Sequence, residues 1–411
     1  MLNTQQIIQE ADRCVACGLC LPHCPTYHKT GSEADSPRGR IQLMSAVARQ
    51  ILPANDRYKQ HIDLCLSCRS CESACPNGVR YGALIDTARA GVAKKPHVID
   101  KITNHLVANP SQMRVVSKVL RFTQNTGLMR LAGQLVPSLS KPITLLPSLQ
   151  KTQTWREFYP AHSTNSSVTK KGEVSLFLGC ISSAFDAETV RVSVFVLNRL
   201  GFDVHIPLAQ SCCGGLARQQ GDAEQAKKYI ANNQAAFNST LPVITLASGC
   251  GAGLHDYTNL VVKDISHFLA NCDWTNINIA PLARDIVVHD PCTLRNVQKS
   301  HTSVYDLLSK IPQIKVNALS GNNQCCGGAG AYMLNQPEMA DSLLNDKVSS
   351  LKKQKATLLA TSNIGCALHI AAGLRAQNMA IEVVHPVTII AKQLGYTDSL
   401  DCGSLNSNSL T

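Results

Sequence analysis

The chain has 411 residues, 44% of them apolar, a formal net charge of +11 and 18 cysteines. That length allows two or three packed domains of ~100 to 200 residues and excludes a small stapled scaffold. No apolar run approaches the ~20 residues that cross a bilayer, because KPITLLPSL and VVHPVTIIA are short and broken by proline. The N-terminus, MLNTQQIIQEADRC, carries no basic n-region, apolar stretch or small-residue cleavage site. The thiols are therefore expected in the reducing cytoplasm, where clustered cysteines bind metal or do redox chemistry.

Residues 14–25 read CVACGLCLPHCP and residues 65–76 read CLSCRSCESACP, both C-x2-C-x2-C-x3-C-P. This is the run of two-cluster bacterial ferredoxins. Three cysteines at two-residue gaps let an irregular loop wrap one cubane with thiolates and backbone N–H groups. Structural zinc usually takes two separated pairs instead. The fourth thiolate of each run serves the other cluster. Cys14, Cys17, Cys20 and Cys75 are thus expected to hold one [4Fe-4S] cluster, and Cys65, Cys68, Cys71 and Cys24 the second. Arg13, Arg69, Arg80 and SPRGR (36–40) are either cations that raise cluster potentials or ordinary solvated arginines. GRIQLMSAVARQIL has helical periodicity, and this first domain is expected over 1–91.

Residues 92–172 carry twelve Lys or Arg against Asp100 and Glu157, so +10 of the +11 lies there. The segment reads as a basic helical connector followed by a polar, Ser/Thr-rich linker. Arg114, Lys118 and Arg121 fall at i, i+4 and i+7 on one helical stripe. That stripe is either a solvated face or a docking face for a membrane surface or partner subunit. Nucleic acid is not expected, because the segment lacks the interleaved aromatics that bases stack on.

The remainder repeats one plan. VSLFLGC matches DIVVHDPC, SCCGGLA matches QCCGGAG, and ITLASGCGAGLHD matches LLATSNIGCALHI. The pairs Cys180/Cys292, Cys212/Cys325, Cys213/Cys326 and Cys250/Cys366 are offset by 112, 113, 113 and 116 residues. Such constancy predicts one duplicated unit, at 173–284 and 285–398, before a tail at 399–411. Short Val/Ile/Leu runs alternate with helical stretches such as AETVRVSVFVLNRLG, DAEQAKKYIANNQAAF and PEMADSLLNDKVSSLKKQ. The expected fold class is therefore α/β. An α-helical two-cluster ferredoxin domain precedes a duplicated Rossmann-like half with parallel sheets. Each cysteine follows a strand or starts a helix, so four thiols per unit should converge at the carboxyl edge of each sheet. These eight are candidate metal ligands for one or two further clusters. The GGAG run at 327–330 lacks the full dinucleotide-binding pattern.

Two ferredoxin runs before two Cys…Cys-Cys-Gly…Cys (CCG) units, with PRGRI, HDPC and SNIGCALH in place, resemble the family of glycolate oxidase iron–sulfur subunits across nearly the whole chain. The wider family includes iron–sulfur subunits of anaerobic glycerol-3-phosphate dehydrogenase and of lactate-oxidising systems, and the cysteine-rich subunit of heterodisulfide reductase. The resemblance implies an electron-transfer subunit of an oxidoreductase complex with no catalytic residue of its own. An FAD-containing dehydrogenase subunit would oxidise glycolate to glyoxylate, and electrons would move toward a quinone, in the cytoplasm or at the cytoplasmic face of the inner membrane. The alternatives it leaves are the iron–sulfur subunit of a D-lactate or glycerol-3-phosphate dehydrogenase, and a thiol or heterodisulfide reductase with its own site at the CCG cysteines. One departure stands out. Heterodisulfide reductase closes each unit with C-x-x-C, whereas here the units close Cys250-Gly-Ala-Gly253 and Cys366-Ala-Leu-His369. His369 is either a ligand or a structural histidine, and Cys272 and Cys402 read as ordinary thiols.

Overall fold

The computed structural model describes residues 1–92, 110–135, 142–147, 154–161 and 170–397. Cys402 and the tail at 399–411 lie outside them, as do parts of the basic segment.

The N-terminal lobe is helical. Its short elements, Thr4–Asp12, Pro25–Thr30, Pro37–Ala48, Asp56–Asp63, Ser70–Ser73 and Tyr81–Val92, surround the cysteine loops. Tyr81, Leu84, Ile85 and Ala88 recur at helical spacing and bury one face against Ile41, Met44, Tyr58 and Ile62. Each fully buried aliphatic side chain stabilises by about 1.5–3 kcal/mol, which lets a small lobe hold two irregular loops.

The PRGRI segment starts the expected helix. Ser36 caps it by accepting the Gly39 N–H at 2.9 Å, and Pro37 sits in its first turn. Gly39 is needed for close approach, since a Cβ there would stand 1.9 Å from the Glu33 carbonyl oxygen. We expect Gly39→Ala to destabilise the protein by about 1–3 kcal/mol, read as a lowered melting temperature at unchanged helix content.

Among the described residues the C-terminal half has nine short strands: β1 (Phe158–Tyr159), β2 (Gly172–Phe177), β3 (Phe202–His205), β4 (Val243–Thr245), β5 (Val262–Asp264), β6 (Asp285–His289), β7 (Lys315–Ala318), β8 (Leu358–Thr361) and β9 (Glu382–Val384). They form two sheets, ordered β1-β3-β2-β4-β5 and β7-β6-β8-β9. Every pair is parallel except β1 with β3. The α/β class with parallel sheets is therefore as expected. The edge strand β1 was not, because it lies in the stretch read as linker. Two residues are too short to show alternation, and β1 is fixed instead by pairing with β3 and by the Ile206 N–H donating to the Glu157 carbonyl at 2.8 Å.

The duplication extends to register. Val174 pairs with Val204 as Ile286 pairs with Val316, and Leu176 pairs with Ile244 as Val288 pairs with Ala360. After the last strand of each sheet, the Asp264 and His385 side chains cap the helices Ile265–Ala270 and Pro386–Gln393. The predicted helices form at Ala187–Arg199, Ala223–Ala236 and Pro337–Lys353. Helix Ala187–Arg199 packs on Pro386–Gln393, and helix Ile265–Ala270 packs reciprocally on Thr302–Leu308. Val190, Val194 and Leu197 share one core with Leu307, Ile389 and Ile390. Each repeat thus covers an apolar face of the other.

Among the described residues no helix is long and apolar enough to cross a membrane. On helix Pro110–Asn125 Lys118 is exposed and Arg121 half-buried, and Val115, Val119 and Phe122 are exposed at i, i+4 and i+7.

Candidate metal centres

Both ferredoxin runs curl by the same device. The residues on each side of the middle cysteine are left-handed: Ala16 and Gly18 (φ 53° and 85°) around Cys17, Ser67 and Arg69 (φ 52° and 57°) around Cys68. A non-glycine residue there costs about 1–2 kcal/mol, so surrounding contacts must hold it. Arg69 is held by Glu72, at 2.6 Å, and by Asp256 of the first repeat.

The fourth cysteine of each run crosses to the other. Cys14, Cys17, Cys20 and Cys75 line one cavity, beside Arg38 and Tyr81. Cys24, Cys65 and Cys68 line another, beside Arg40, and Cys71 borders both. Burial pushes the Cys68 and Cys71 thiols well up from their ordinary range. Buried thiols gathered this densely fit a bound metal cluster, whose positive iron makes them thiolates.

Of the arginines singled out, Arg13 donates to the Asn77 carbonyl at 2.8 Å, and Arg80 pairs with Glu10 at 2.9 Å. Arg38 donates to the Ala16 carbonyl at 3.0 Å on the rim of the first cavity. Arg40 is different, being 1% exposed on the wall of the second cavity. Its guanidinium donates to the His61 carbonyl (2.7 Å), Thr26 Oγ1 (3.0 Å) and Asp35 Oδ1 (3.4 Å). Burial opposes its charge, yet Tyr81, Cys65, Cys24 and Asp35 raise its pKa above the ordinary value.

In the repeats the topology delivers the thiols as expected. Cys180 and Cys292 start the helices after β2 and β6. Cys212–Cys213 and Cys325–Cys326 follow β3 and β7, and Cys250 and Cys366 lie in the first turn of the helices after β4 and β8. The Cys180–Cys212 sulfurs are 3.8 Å apart and the Cys292–Cys325 sulfurs 3.9 Å. In each repeat the glycine after the double cysteine, Gly214 or Gly327, is left-handed and donates its N–H to the first of the two sulfurs at 3.4 Å. In the first repeat, hydrogen bonds from Cys212 and Cys250 hold Cys213 well below the usual thiol range, with Arg218 assisting. In the second, hydrogen bonding to Cys325 and burial push Cys292 well up. Cys272 packs apart from these groups and donates to the Phe268 carbonyl at 3.3 Å.

The second ferredoxin loop docks on the second repeat. Asn296 donates to the Cys68 carbonyl at 2.9 Å, and the Tyr332 hydroxyl donates to the Leu64 carbonyl at 2.9 Å. Leu66, Cys68, Cys325, Tyr332 and Met333 form one buried cluster, with Cys292 packed against it.

Comparison with known proteins finds matches in both halves of the chain. A 4Fe-4S dicluster domain matches residues 10–79, and a cysteine-rich domain matches 174–255 and again 286–371. Over 421 aligned residues, covering 94% of both chains, the sequence is 31% identical to the probable glycolate oxidase iron-sulfur subunit of Bacillus subtilis strain 168. This chain belongs to the glycolate oxidase iron–sulfur subunit family. The family's member in Escherichia coli K12 is 29% identical, covering 90% of this chain and 92% of that one. Lactate utilization protein A 2 of Bacillus cereus strain Q1 is 25% identical over 54% of this chain and 99% of its own length. The chain is an iron–sulfur protein with an oxidoreductase role.

The structure shows what surrounds Gly253 and His369, the closing positions of the two units. A Cβ on Gly253 would stand 2.5 Å from Arg218 Nη2. Arg218 is buried there, donating to the Cys213 carbonyl at 3.4 Å and lying 3.8 Å from Asp86 of the ferredoxin lobe. A guanidinium therefore fills the space of the absent side chain. Gly253→Cys alone is expected to cost about 1–2 kcal/mol, and the double variant with Arg218→Ala less than the sum of the singles, as a thermodynamic cycle measures.

His369 is buried against Gly328, with Nε2 3.3 Å from the Ala340 carbonyl oxygen. The imidazole that comes among the thiols is instead His289, at the end of β6. Burial, with Lys347 and Arg295 nearby, keeps it neutral by lowering its pKa to about 3. Sequence reasoning missed His289, Arg218 and the buried Lys347. The available signal for the first was its place two residues before Pro291-Cys292.

Proposed function

We propose that this chain is the electron-transfer subunit of a flavin-linked 2-hydroxy-acid dehydrogenase. An FAD-containing partner oxidises glycolate to glyoxylate, and the electrons are handed singly toward a quinone. In this reading Cys14, Cys17, Cys20 and Cys75 hold one [4Fe-4S] cluster, Cys65, Cys68, Cys71 and Cys24 the second, and the eight repeat cysteines further metal. When bound, the clusters supply the one-electron carriers that a two-electron oxidation needs to reach its acceptor.

The observation that carries the reading is the pair of adjoining cysteine-lined cavities with different surroundings. The first opens at exposed Cys17, between Val15 and Leu19 at 67% and 57% exposure, which suits docking of a donor subunit. The second is walled by Arg40 and backs onto the second repeat. A buried cation beside a cluster favours the more negative, reduced state. The exposed stripe of Val115, Val119 and Phe122 beside Lys118 suits a partner subunit or the cytoplasmic face of the inner membrane. Glycolate is preferred over D-lactate or glycerol 3-phosphate because the relatives named for glycolate match at least 90% of both chains.

The test is substrate-dependent dye reduction. Chain and copurifying flavoprotein together should reduce a dye with glycolate, faster than with D-lactate or glycerol 3-phosphate, and the chain alone should be inert. Glycolate oxidation by the isolated chain would overturn the proposal.

A further inference from the structure

The duplication isolates one exchange. At the end of β2 the first repeat has Phe177, and at the equivalent place, 112 residues on, the second has His289. Both occupy the same register, Phe177 opposite Thr245 and His289 opposite Thr361. Phe177 packs on Phe237, with ring centroids 6.0 Å apart. His289 has entered a different environment.

Its ring is 1% exposed, and its Nδ1 lies 2.9 Å from Thr361 Oγ1. Its Nε2 is shielded from water and has no hydrogen-bond partner. A buried ring nitrogen left without a partner is unfavourable, and a bound metal would satisfy it. A ring nitrogen of His289 and the sulfurs of Cys326 and Cys366 all lie within 4.8 Å of one another, and all three residues are buried. Metal-bound histidines characteristically use the second ring nitrogen to hold orientation. Here the hydroxyl of a neighbouring strand does so, because sheet register places Thr361 beside the ring. Cys366 is steadied in turn by Asn363, whose amide donates to its sulfur at 3.2 Å. Ligands 2.3 Å from a tetrahedral metal stand ~3.8 Å apart, close to the spacing of the Cys292 and Cys325 sulfurs in the same repeat.

We propose that His289 is a metal ligand. Its Nε2 joins Cys326 and Cys366 on a thiophilic metal centre, so the second repeat has a mixed imidazole–thiolate site where the first has thiolates alone. This rests on the reading that the repeat cysteines bind metal. The donor set suits zinc and equally an imidazole-ligated iron of an iron–sulfur cluster. The shared chemistry is one nitrogen on a sulfur-bound metal.

The test uses the full chain, purified without oxygen, as wild type, His289→Phe, which copies the first repeat, and His289→Cys, which keeps a donor. Zinc and iron content and X-ray absorption at both metal edges are measured. The ferredoxin paramagnetic signals report folding. The expected result is an imidazole shell in the wild type. In His289→Phe that shell disappears and affinity for the metal falls about tenfold or more, while His289→Cys retains the metal with sulfur in place of nitrogen. The edge that carries the imidazole shell tells zinc from iron. An unchanged shell and unchanged content in His289→Phe would overturn the assignment while leaving metal in the repeats intact. Absence of any metal beyond the ferredoxin clusters in the wild type would overturn both.

Discussion

Cys75→Ser is expected to remove the cluster associated with Cys14, Cys17 and Cys20, and to spare the one associated with its own run. About half of the ferredoxin-lobe iron should be lost, and the paramagnetic spectrum of the reduced chain should lose the spin–spin broadening of two neighbouring clusters. Cys24→Ser should produce the reciprocal loss. The reason is geometric: Cys75 lines the cavity of the first run and Cys24 the cavity of the second. Each crossing also ties the lobe together, because Cys24 precedes helix Pro25–Thr30 while its cavity partners Cys65, Cys68 and Cys71 lie some forty residues on. Loss of either thiolate should therefore make the remaining lobe more susceptible to protease. Iron content, electron paramagnetic resonance and limited proteolysis of the two variants check this. Loss of the variant's own cluster instead would show that the runs do not cross.

Arg40→Leu is the second change with a large expected effect. Asp35 is 6% exposed and accepts from both Arg40 and His61. Removing the guanidinium leaves that carboxylate, the His61 carbonyl and Thr26 short of donors in a buried place. Breaking a buried pair by removing one partner typically costs about 3–5 kcal/mol. The lobe should melt at a lower temperature, and the cluster of the second cavity should have a lower reduction potential, because a nearby positive charge is gone. Arg40→Lys should keep most of the potential but lose stability, since a point charge cannot satisfy three acceptors set at fork geometry. Calorimetry and a redox titration separate the two effects. An unchanged potential in Arg40→Leu would mean that this buried cation does not tune the cluster.

Much of this was legible in sequence where the determinants are local. The ferredoxin runs and the double cysteines carry their spacing in the chain, and alternation of strand-like and helical stretches put Cys180, Cys250, Cys292 and Cys366 at strand–helix junctions. What escaped is what pairing and packing create over long separations. His289 enters the thiol group because β6 lies beside β8, so residues 72 apart share a hydrogen bond. Arg218 fills the space over Gly253 from another helix, an exchange that no local motif records. His369 drew notice by standing where a cysteine was missing, yet its Nε2 faces the Ala340 carbonyl. Phe158–Tyr159 became an edge strand through the exposed side of β3, not through any pattern of their own.

An electron-transfer role is tested most directly by where hydroxy-acid electrons appear. Rapid mixing of glycolate with the flavoprotein and this chain together, followed by freezing and paramagnetic resonance, should show reduced [4Fe-4S] signals arising on the timescale of turnover. They should be absent when either protein is omitted. Turnover with the chain's clusters oxidised throughout, or reduction of the isolated chain by glycolate, would contradict it.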